Sequence, residues 1–147
     1  MSISRRLLCA GLGGVAFPIS SVSAAMPSKA INATNRSYAQ ACLIESPARW
    51  LFVSGQVPAD TNQQVPTKFE DQCRLAWRNV ETQLKAAGMT SANLVKVTVF
   101  LSDRQYRDAN AAVRMEVLGP HTPALTIVIT GIYDEAWLLE IEAVAAA

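Results

Sequence analysis

Only two helical stretches are available to cover a sheet built from five β-type runs, and this imbalance constrains the fold of the chain strongly. Apolar residues recur at helical spacing over residues 67–88, where Thr67 and Glu70 are predicted to form a capping box at the start of the helix. A second helix is predicted over 103–119, beginning properly near Asp108. Two helices cannot cover both faces of such a sheet, so we expect both to lie on one face.

The β-type runs set the order of the elements. They cover residues 37–45, 49–55, 94–102, 124–130 and 136–145. The first two runs are joined by a short "SPA" turn, which predicts a hairpin, and the whole chain is predicted to follow the order β-β-α-β-α-β-β with an α+β fold and a mixed sheet. Several strands are apolar on both sides, so another subunit is expected to cover the face that lacks helices. The pattern therefore predicts a homo-oligomer.

The first 24 residues, "MSISRRLLCAGLGGVAFPISSVSA", have the layout of a secretory signal peptide. Arg5 and Arg6 precede an apolar, glycine-rich stretch and then small residues, as in a twin-arginine export signal. Pro18 and the glycines argue against a membrane anchor. An exported protein would be periplasmic or secreted, whereas an uncleaved, disordered tail would leave it cytoplasmic. Residues 25–35 are predicted to be a flexible lead-in to a single domain over residues 36–147.

Charge and residue content exclude several classes of function. Removing residues 1–24 takes away two of the 13 basic residues and none of the 12 acidic ones, which leaves a net charge of −1 and no basic stripe for nucleic acid. The absence of a CxxC motif or a Cys/His cluster, with His121 as the single histidine, excludes a zinc site and a histidine-based triad. Cys42 and Cys73 could pair in an oxidising compartment, but their apolar contexts favour buried free thiols.

Glu140 is the most conspicuous polar residue, because it interrupts the apolar run "WLLEIEAVAA". Side chains alternate along a strand, so Leu138, Glu140 and Glu142 are expected to share one face. A carboxylate among aliphatic side chains is costly to bury, and such groups are common among catalytic bases. The alternative is a solvent-exposed face near a sheet edge. The residues alone do not decide between these two interpretations.

An ordered set of segments runs through residues 36–146: "LFVSGQVPAD", "QCRLAWRNVETQLKAAG", "LVKVTVFLSD", "PALT" and "LLEIEAVAA". Together these segments resemble the RidA (YjgF/YER057c/UK114) family. The resemblance implies a chorismate-mutase-like α+β fold and a homotrimer with small-molecule pockets between subunits. It also implies hydrolysis of reactive enamines and imines to a 2-oxo acid and ammonia, without a metal or an organic cofactor.

The resemblance also implies roles for individual residues. Glu140 matches the family glutamate that positions or activates the hydrolytic water. The positions that match substrate-binding segments of the family are Tyr38, Ser54, Gly55, Asn110, Leu125, Thr126 and Ile127. The chain departs from the family at Leu125, where the family motif Pro-Ala-Arg-Ser/Thr has an arginine that binds the substrate carboxylate. An arginine offers two charge-assisted hydrogen bonds and leucine offers none, so we expect weak or absent deaminase activity on ordinary 2-imino acids.

Three functions remain open at this point. The first is an enzyme in which Glu140 activates water and Leu125 selects a substrate with a neutral or apolar anchor. The second is a non-catalytic small-molecule binder or interaction protein on the same trimeric scaffold. The third is RNA cleavage, a reported role of the family, which the missing basic patch makes the weakest of the three.

Overall fold

The computed structural model describes residues 28–147, so the predicted signal peptide and residues 25–27 of the predicted lead-in lie outside the described part. The elements, in chain order, are β1 (Lys29–Ala33), β2 (Ala39–Leu43), β3 (Trp50–Gln56), α1 (Phe69–Ala86), β4 (Leu94–Leu101), α2 (Arg107–Leu118), β5 (Ala124–Ile129) and β6 (Leu139–Ala146). Single turns of 3₁₀-helix precede β4 and α2. Within residues 28–147 no helix is both long and apolar enough to span a bilayer.

The six strands form one mixed sheet in the order β1-β2-β5-β4-β6-β3. Strands β4 and β5 are parallel, and β6 is antiparallel to both β4 and β3. Strand β2 pairs with β5 at a single position, Ala39 with Ala124, so the outer edge of β5 is free of strand pairing beyond that point within the described residues. The α+β class and the mixed sheet predicted from the sequence are confirmed.

Both helices pack on one face of the sheet, as predicted. Helix α1 packs against β6, β3 and α2, and Phe69, Cys73, Trp77, Val80 and Leu84 form its buried stripe. The side chains of β4 alternate, so Val97, Val99 and Leu101 are fully buried under the helices. Lys96, Thr98 and Phe100 point to the opposite face, which we call the open face.

The open face carries large apolar side chains that are exposed in the single chain. Phe52 is 75% exposed and Trp50 is 50% exposed, and both belong to β3. Phe52 pairs with Val144 of β6 and Trp50 with Ala146. Such a patch is typical of a surface that another protein covers. This agrees with the expectation that a second subunit lies against the sheet.

Three local predictions were wrong. Strands β2 and β3 do not form a hairpin, because β2 pairs with β1 and β3 lies at the far end of the sheet against β6. Strand β1 occupies residues 29–33 of the predicted lead-in, where pairing with β2 gives this segment a regular structure. Helix α1 begins at Phe69 rather than Thr67, with Lys68 as an N-cap whose side chain makes no capping hydrogen bond.

Candidate functional site

The carboxylate of Glu140 lies directly against the backbone of Gly55. A Cβ atom added at Gly55 would lie 1.5 Å from Oε1 of Glu140, so any side chain larger than hydrogen would collide with the carboxyl group. The approach is possible because the register of β3 against β6 shifts between Val53 and Gln56. Gly55 therefore serves close packing here, which is the less frequent use of a strand glycine.

Glu140 is half-buried and faces away from the helices. Its register partner on β4 is Phe100, and Glu142, which is exposed, pairs with Thr98 on the same face. The two carboxylates thus share the open face, as the alternation of β6 predicted. Neither forms an ion pair with a basic side chain within residues 28–147. Glu140 is available to water or a ligand, with one side protected by Gly55.

A hollow of about 320 Å³ lies on the open face beside these carboxylates. Ser54, Lys96 and Glu142 supply its polar groups, and Phe52 and Val144 supply apolar walls. Thr126 borders the same region, because it pairs with Thr98 and accepts a hydrogen bond from Nζ of Lys96. Ser54 and Thr126 are therefore placed on the open face together with Glu140, although Glu140 itself does not line the hollow.

Leu125 and Ile127 lie on the opposite face of the sheet. Leu125 pairs with Val97 and Ile127 with Val99, and both of these β4 residues point under the helices. Leu125 is half-buried against the main core, whereas Ile127 is 39% exposed. Within one chain, the position of the missing arginine and the predicted catalytic glutamate are therefore on different sides of the sheet.

A second hollow, of about 420 Å³, follows the free edge of β5 on the helix side. Leu101, Ile127 and Ile129 form its apolar wall, and Arg104 and Arg107 lie at its rim. Neither arginine forms an ion pair with the described residues. Two arginine side chains therefore lie close to the strand in which Leu125 stands at the position of the family arginine.

From the sequence, Arg104 and Arg107 are two of four arginines, with Arg49 and Arg114, that could replace the missing charge from elsewhere in the chain or from a neighbouring subunit. The sequence did not place any of them, because Arg104 and Arg107 precede β5 by about twenty residues.

Tyr38 and Asn110 are also separated from Glu140. Tyr38 precedes Ala39, which pairs through Ala124 with the start of β4 at Lys96, whereas Glu140 pairs with Phe100. Four residues along a strand correspond to about 13 Å. Asn110 is fully buried on α2, in the helix layer. The structure of one chain brings Glu140 against Gly55 and places Ser54 and Thr126 on the same face of the sheet. It does not bring Tyr38, Asn110, Leu125 or Ile127 to this place.

The two cysteines of the described part are both free, but only Cys73 is buried as their apolar contexts favoured, whereas Cys42 is half-buried. Cys73 is completely buried between the helices, and its Sγ lies 3.9 Å from Oδ1 of Asn110. Burial raises the pKa of the Cys73 thiol to about 12, so the thiol is neutral at physiological pH. Such a thiol is a poor nucleophile, which excludes it from a catalytic role.

Sequence comparison identifies several relatives of this chain. Residues 28–147 match the family model described as Endoribonuclease L-PSP. A RutC family protein of Pyrococcus horikoshii is 35% identical over 98 residues, which cover 65% of this chain and 78% of that protein. The 2-iminobutanoate/2-iminopropanoate deaminase of Rattus norvegicus is 32% identical over 112 residues, which cover 74% of this chain and 79% of the rat protein.

A solved structure supports the same relationship. The crystal structure of Escherichia coli TdcF with bound serine is 28% identical and superposes with a TM-score of 0.65, covering 75% of this chain and 86% of TdcF. The shared arrangement includes the sheet and the two helices described above.

Proposed function

Because the chain belongs to the endoribonuclease L-PSP family, which is the RidA (YjgF/YER057c/UK114) family, we propose that it forms a homotrimer with small-molecule pockets between subunits. In each pocket Glu140 activates a water molecule that hydrolyses an enamine or imine. The single observation that carries this proposal is the contact between the Glu140 carboxylate and Gly55. This contact holds an acid that has no ion-pair partner among residues 28–147 at an exposed apolar surface.

The position of the predicted site residues supports a pocket made by two chains. Glu140 is on the open face, and Leu125 and Ile127 are on the helix side. Residues on opposite faces of one sheet can share a ligand when a second copy brings its own face against the first. The exposed Trp50 and Phe52 provide the apolar surface that such an assembly would bury.

The chemistry assigned to Glu140 is general acid–base catalysis. The carboxylate takes a proton from water as the water oxygen attacks the C=N carbon, and returns a proton to the nitrogen. The C–N bond then breaks, so that one imine and one water give one carbonyl compound and one ammonia. Ser54 and Thr126 lie on the same face and offer hydroxyl groups to orient the substrate.

Substrate choice is proposed to differ from that of relatives with arginine at the position of Leu125. Leu125 gives no charged hydrogen bond to a carboxylate, and a loss of about 4 kcal/mol of positioning corresponds to roughly a thousandfold lower rate. We propose a substrate with a neutral or apolar anchor at this position. Arg104 and Arg107 are the alternative source of charge, since they line the hollow that contains Ile127.

The test is hydrolysis of enzymatically generated 2-iminopropanoate by the wild type and by Leu125→Arg, with Ile129→Arg as a matched control on the same strand and face. We expect little turnover in the wild type and in Ile129→Arg, and a clear gain in Leu125→Arg. Rapid wild-type turnover would contradict the proposed specificity. Loss of that turnover in Arg104→Gln/Arg107→Gln would then assign carboxylate binding to these two arginines.

A non-catalytic binding protein is the second candidate. It is favoured by the open-face hollow, whose lining includes Lys96 and Glu142 but not Glu140. Glu140→Gln distinguishes the two functions, because it would abolish hydrolysis by an enzyme but leave ligand affinity of a binder nearly unchanged. Turnover at the uncatalysed background rate in both the wild type and Glu140→Gln, across a panel of imines with neutral side chains, would favour the binder.

Export through the twin-arginine route is also proposed, on the basis of Arg5, Arg6 and the stretch that follows them. The expected mature protein begins at Ala25. N-terminal sequencing of protein from the periplasm of an expressing bacterium tests this, with Arg5→Lys/Arg6→Lys as the variant that should remain in the cytoplasm.

A further inference from the structure

The turn that joins β4 to α2 presents two arginines to one hollow. Arg104 begins a single turn of 3₁₀-helix, and Arg107 is the first residue of α2. Side chains three residues apart in a 3₁₀-turn lie one above the other, and both arginines line the hollow of about 420 Å³ at the free edge of β5. Arg114, further along α2, is 2% exposed and donates to the carbonyl oxygen of Arg36, so this third arginine is not available to a ligand.

The acidic residues of the same turn leave both guanidinium groups free. Asp103 caps the 3₁₀-turn, because its carboxylate accepts a hydrogen bond of 2.8 Å from the backbone N–H of Gln105. Asp108 lies in the first turn of α2, where the helix dipole stabilises a negative charge. Within residues 28–147, neither carboxylate forms an ion pair with Arg104 or Arg107. The two carboxylates balance the two guanidinium groups in net charge, so the surroundings favour a singly charged anion over a multiply charged one.

The rest of the hollow is aliphatic. Ile127 and Ile129 share one face of β5, because side chains alternate along a strand, and they are 39% and 41% exposed. Leu101 of β4, which pairs with Ile129, completes the wall. The two arginines supply the only polar side chains of this hollow. A ligand with an apolar body would remove these isoleucine side chains from water, which favours its binding.

The hollow is separate from the position of the family arginine. Leu125 does not line it and lies two residues, about 7 Å, before Ile127 along β5. Leu101 pairs with Ile129, and Arg104 follows Leu101 by three residues. The two arginines therefore approach β5 at the end that is farther from Leu125, and they come from different elements of the chain.

We propose that this hollow binds an aliphatic monocarboxylic acid, with its carboxylate at Arg104 and Arg107 and its hydrocarbon chain against the aliphatic wall. Guanidinium groups bind carboxylates through charge-assisted and often bidentate hydrogen bonds. A hollow of about 420 Å³ has the volume of a small-ligand site. The binding does not require Glu140, so this inference goes beyond the proposed hydrolysis and is tested without any measurement of turnover.

Calorimetric titration of the full chain with butanoate, hexanoate and octanoate at constant ionic strength tests the proposal. Each added methylene group is expected to raise the affinity about fourfold until the hollow is filled, as for the burial of one CH₂ group. Hexanamide, which has the same chain without the charge, is expected to bind about tenfold more weakly than hexanoate. An affinity that is independent of chain length, or equal for hexanoate and hexanamide, would overturn the proposal.

Variants separate the charged part of the site from the aliphatic part. Arg104→Gln/Arg107→Gln should lower the affinity for hexanoate about tenfold but keep the gain per methylene group. Ile129→Ala should reduce that gain but keep the preference for hexanoate over hexanamide. The matched controls are Arg78→Gln, which removes an exposed arginine of α1 outside the hollow, and Ile31→Ala, which shortens a side chain of β1 that is 38% exposed. Equal losses in a variant and its control would contradict the assignment. A wild type that binds none of the three acids, as when a second chain fills the hollow, would also contradict it and would leave the proposed hydrolysis untouched.

Discussion

Gly55 on β3 determines where the carboxylate of Glu140 on β6, the proposed catalytic group, can lie. The carboxylate occupies the volume in which every other residue type would have a Cβ atom. The requirement for glycine at this position therefore comes from a functional group rather than from backbone conformation, since Gly55 is not among the residues with a positive φ angle. By contrast, Gly88 has a φ of 69° and serves the end of α1.

Gly55→Ala is expected to displace the Glu140 carboxylate while leaving the fold intact. The colliding atoms belong to the end of a flexible side chain, so the free energy of unfolding should fall by only about 1 kcal/mol or less. Any hydrolysis that depends on Glu140 should fall to the level of Glu140→Gln. Parallel measurements of turnover and of urea denaturation test both parts.

Gly131→Ala is the matched control, because a Cβ atom there meets no atom within 4 Å. Gly131→Ala should change neither the turnover nor the free energy of unfolding. In a Glu140→Gln background, Gly55→Ala should cause no further loss of turnover, because the two changes act through one group. An additional loss would mean that Gly55 acts independently of Glu140.

At the scale of elements, one side chain of α1 fixes the loop that leads into β6. Gln72 is 2% exposed. Its Nε2 donates to the carbonyl oxygens of Pro66 and Ala136, at 2.8 and 2.9 Å, and its Oε1 accepts from the backbone N–H of Leu138 at 2.8 Å. The bonds to Ala136 and Leu138 hold the start of β6, and hence the position of Glu140, while the bond to Pro66 holds the loop before α1.

Gln72→Leu should destabilise the protein by about 2–4 kcal/mol, because it leaves two carbonyl groups and one N–H without their partner. Arg74→Ala on the same helix removes the ion pair with Glu116, whose N–O distance is 3.1 Å, and both side chains are about half exposed. That change should cost less than about 1 kcal/mol. Chemical denaturation compares the two, and equal losses would contradict the importance of the Gln72 bonds.

The sequence predicted the elements whose pattern is local and failed where pairing is long-range. The stripe of α1, the start of α2 and the alternation of β4 and β6 follow from periodicity within each segment. Strand β2 was predicted to pair with β3 because the turn between them is short, yet pairing with β1 and β5 prevails. The neighbourhood of Arg114 could not be predicted, since it depends on the packing of α1, α2 and the turn before β2.

Of the candidate site, the sequence indicated the shared face of Glu140 and Glu142 and the departure at Leu125. The separation of Leu125 from Glu140 by the thickness of the sheet was not apparent, because it depends on the register between β4, β5 and β6. The sequence offered Arg104 and Arg107 as possible sources of the missing charge but not their position beside Ile127, since they reach this hollow from the turn before α2 and from its first residue.

At the scale of the whole molecule, the open face is the surface through which we propose that the chains assemble. Phe52 on this face is 75% exposed, and Tyr133, on the loop between β5 and β6, is 95% exposed. Of these two residues, only Phe52 lies on a continuous sheet surface with Trp50 and Val144. We expect the wild type to sediment as three chains and Phe52→Glu to sediment as one, because a desolvated carboxylate opposes association. Tyr133→Glu should remain trimeric, and a monomeric wild type would contradict the proposed assembly.

The central claim is that one site is composed of Glu140 from one chain and position 125 from another. The most direct measurement is turnover of 2-iminopropanoate by mixed oligomers of the wild type and the double variant Leu125→Arg/Glu140→Gln. Each parent lacks one of the two groups, so each should be nearly inactive, whereas mixed oligomers place an arginine at 125 beside an intact Glu140. We predict that co-expressed mixtures exceed both parents several-fold. Turnover equal to the average of the parents, with Leu125→Arg alone active, would contradict the shared site.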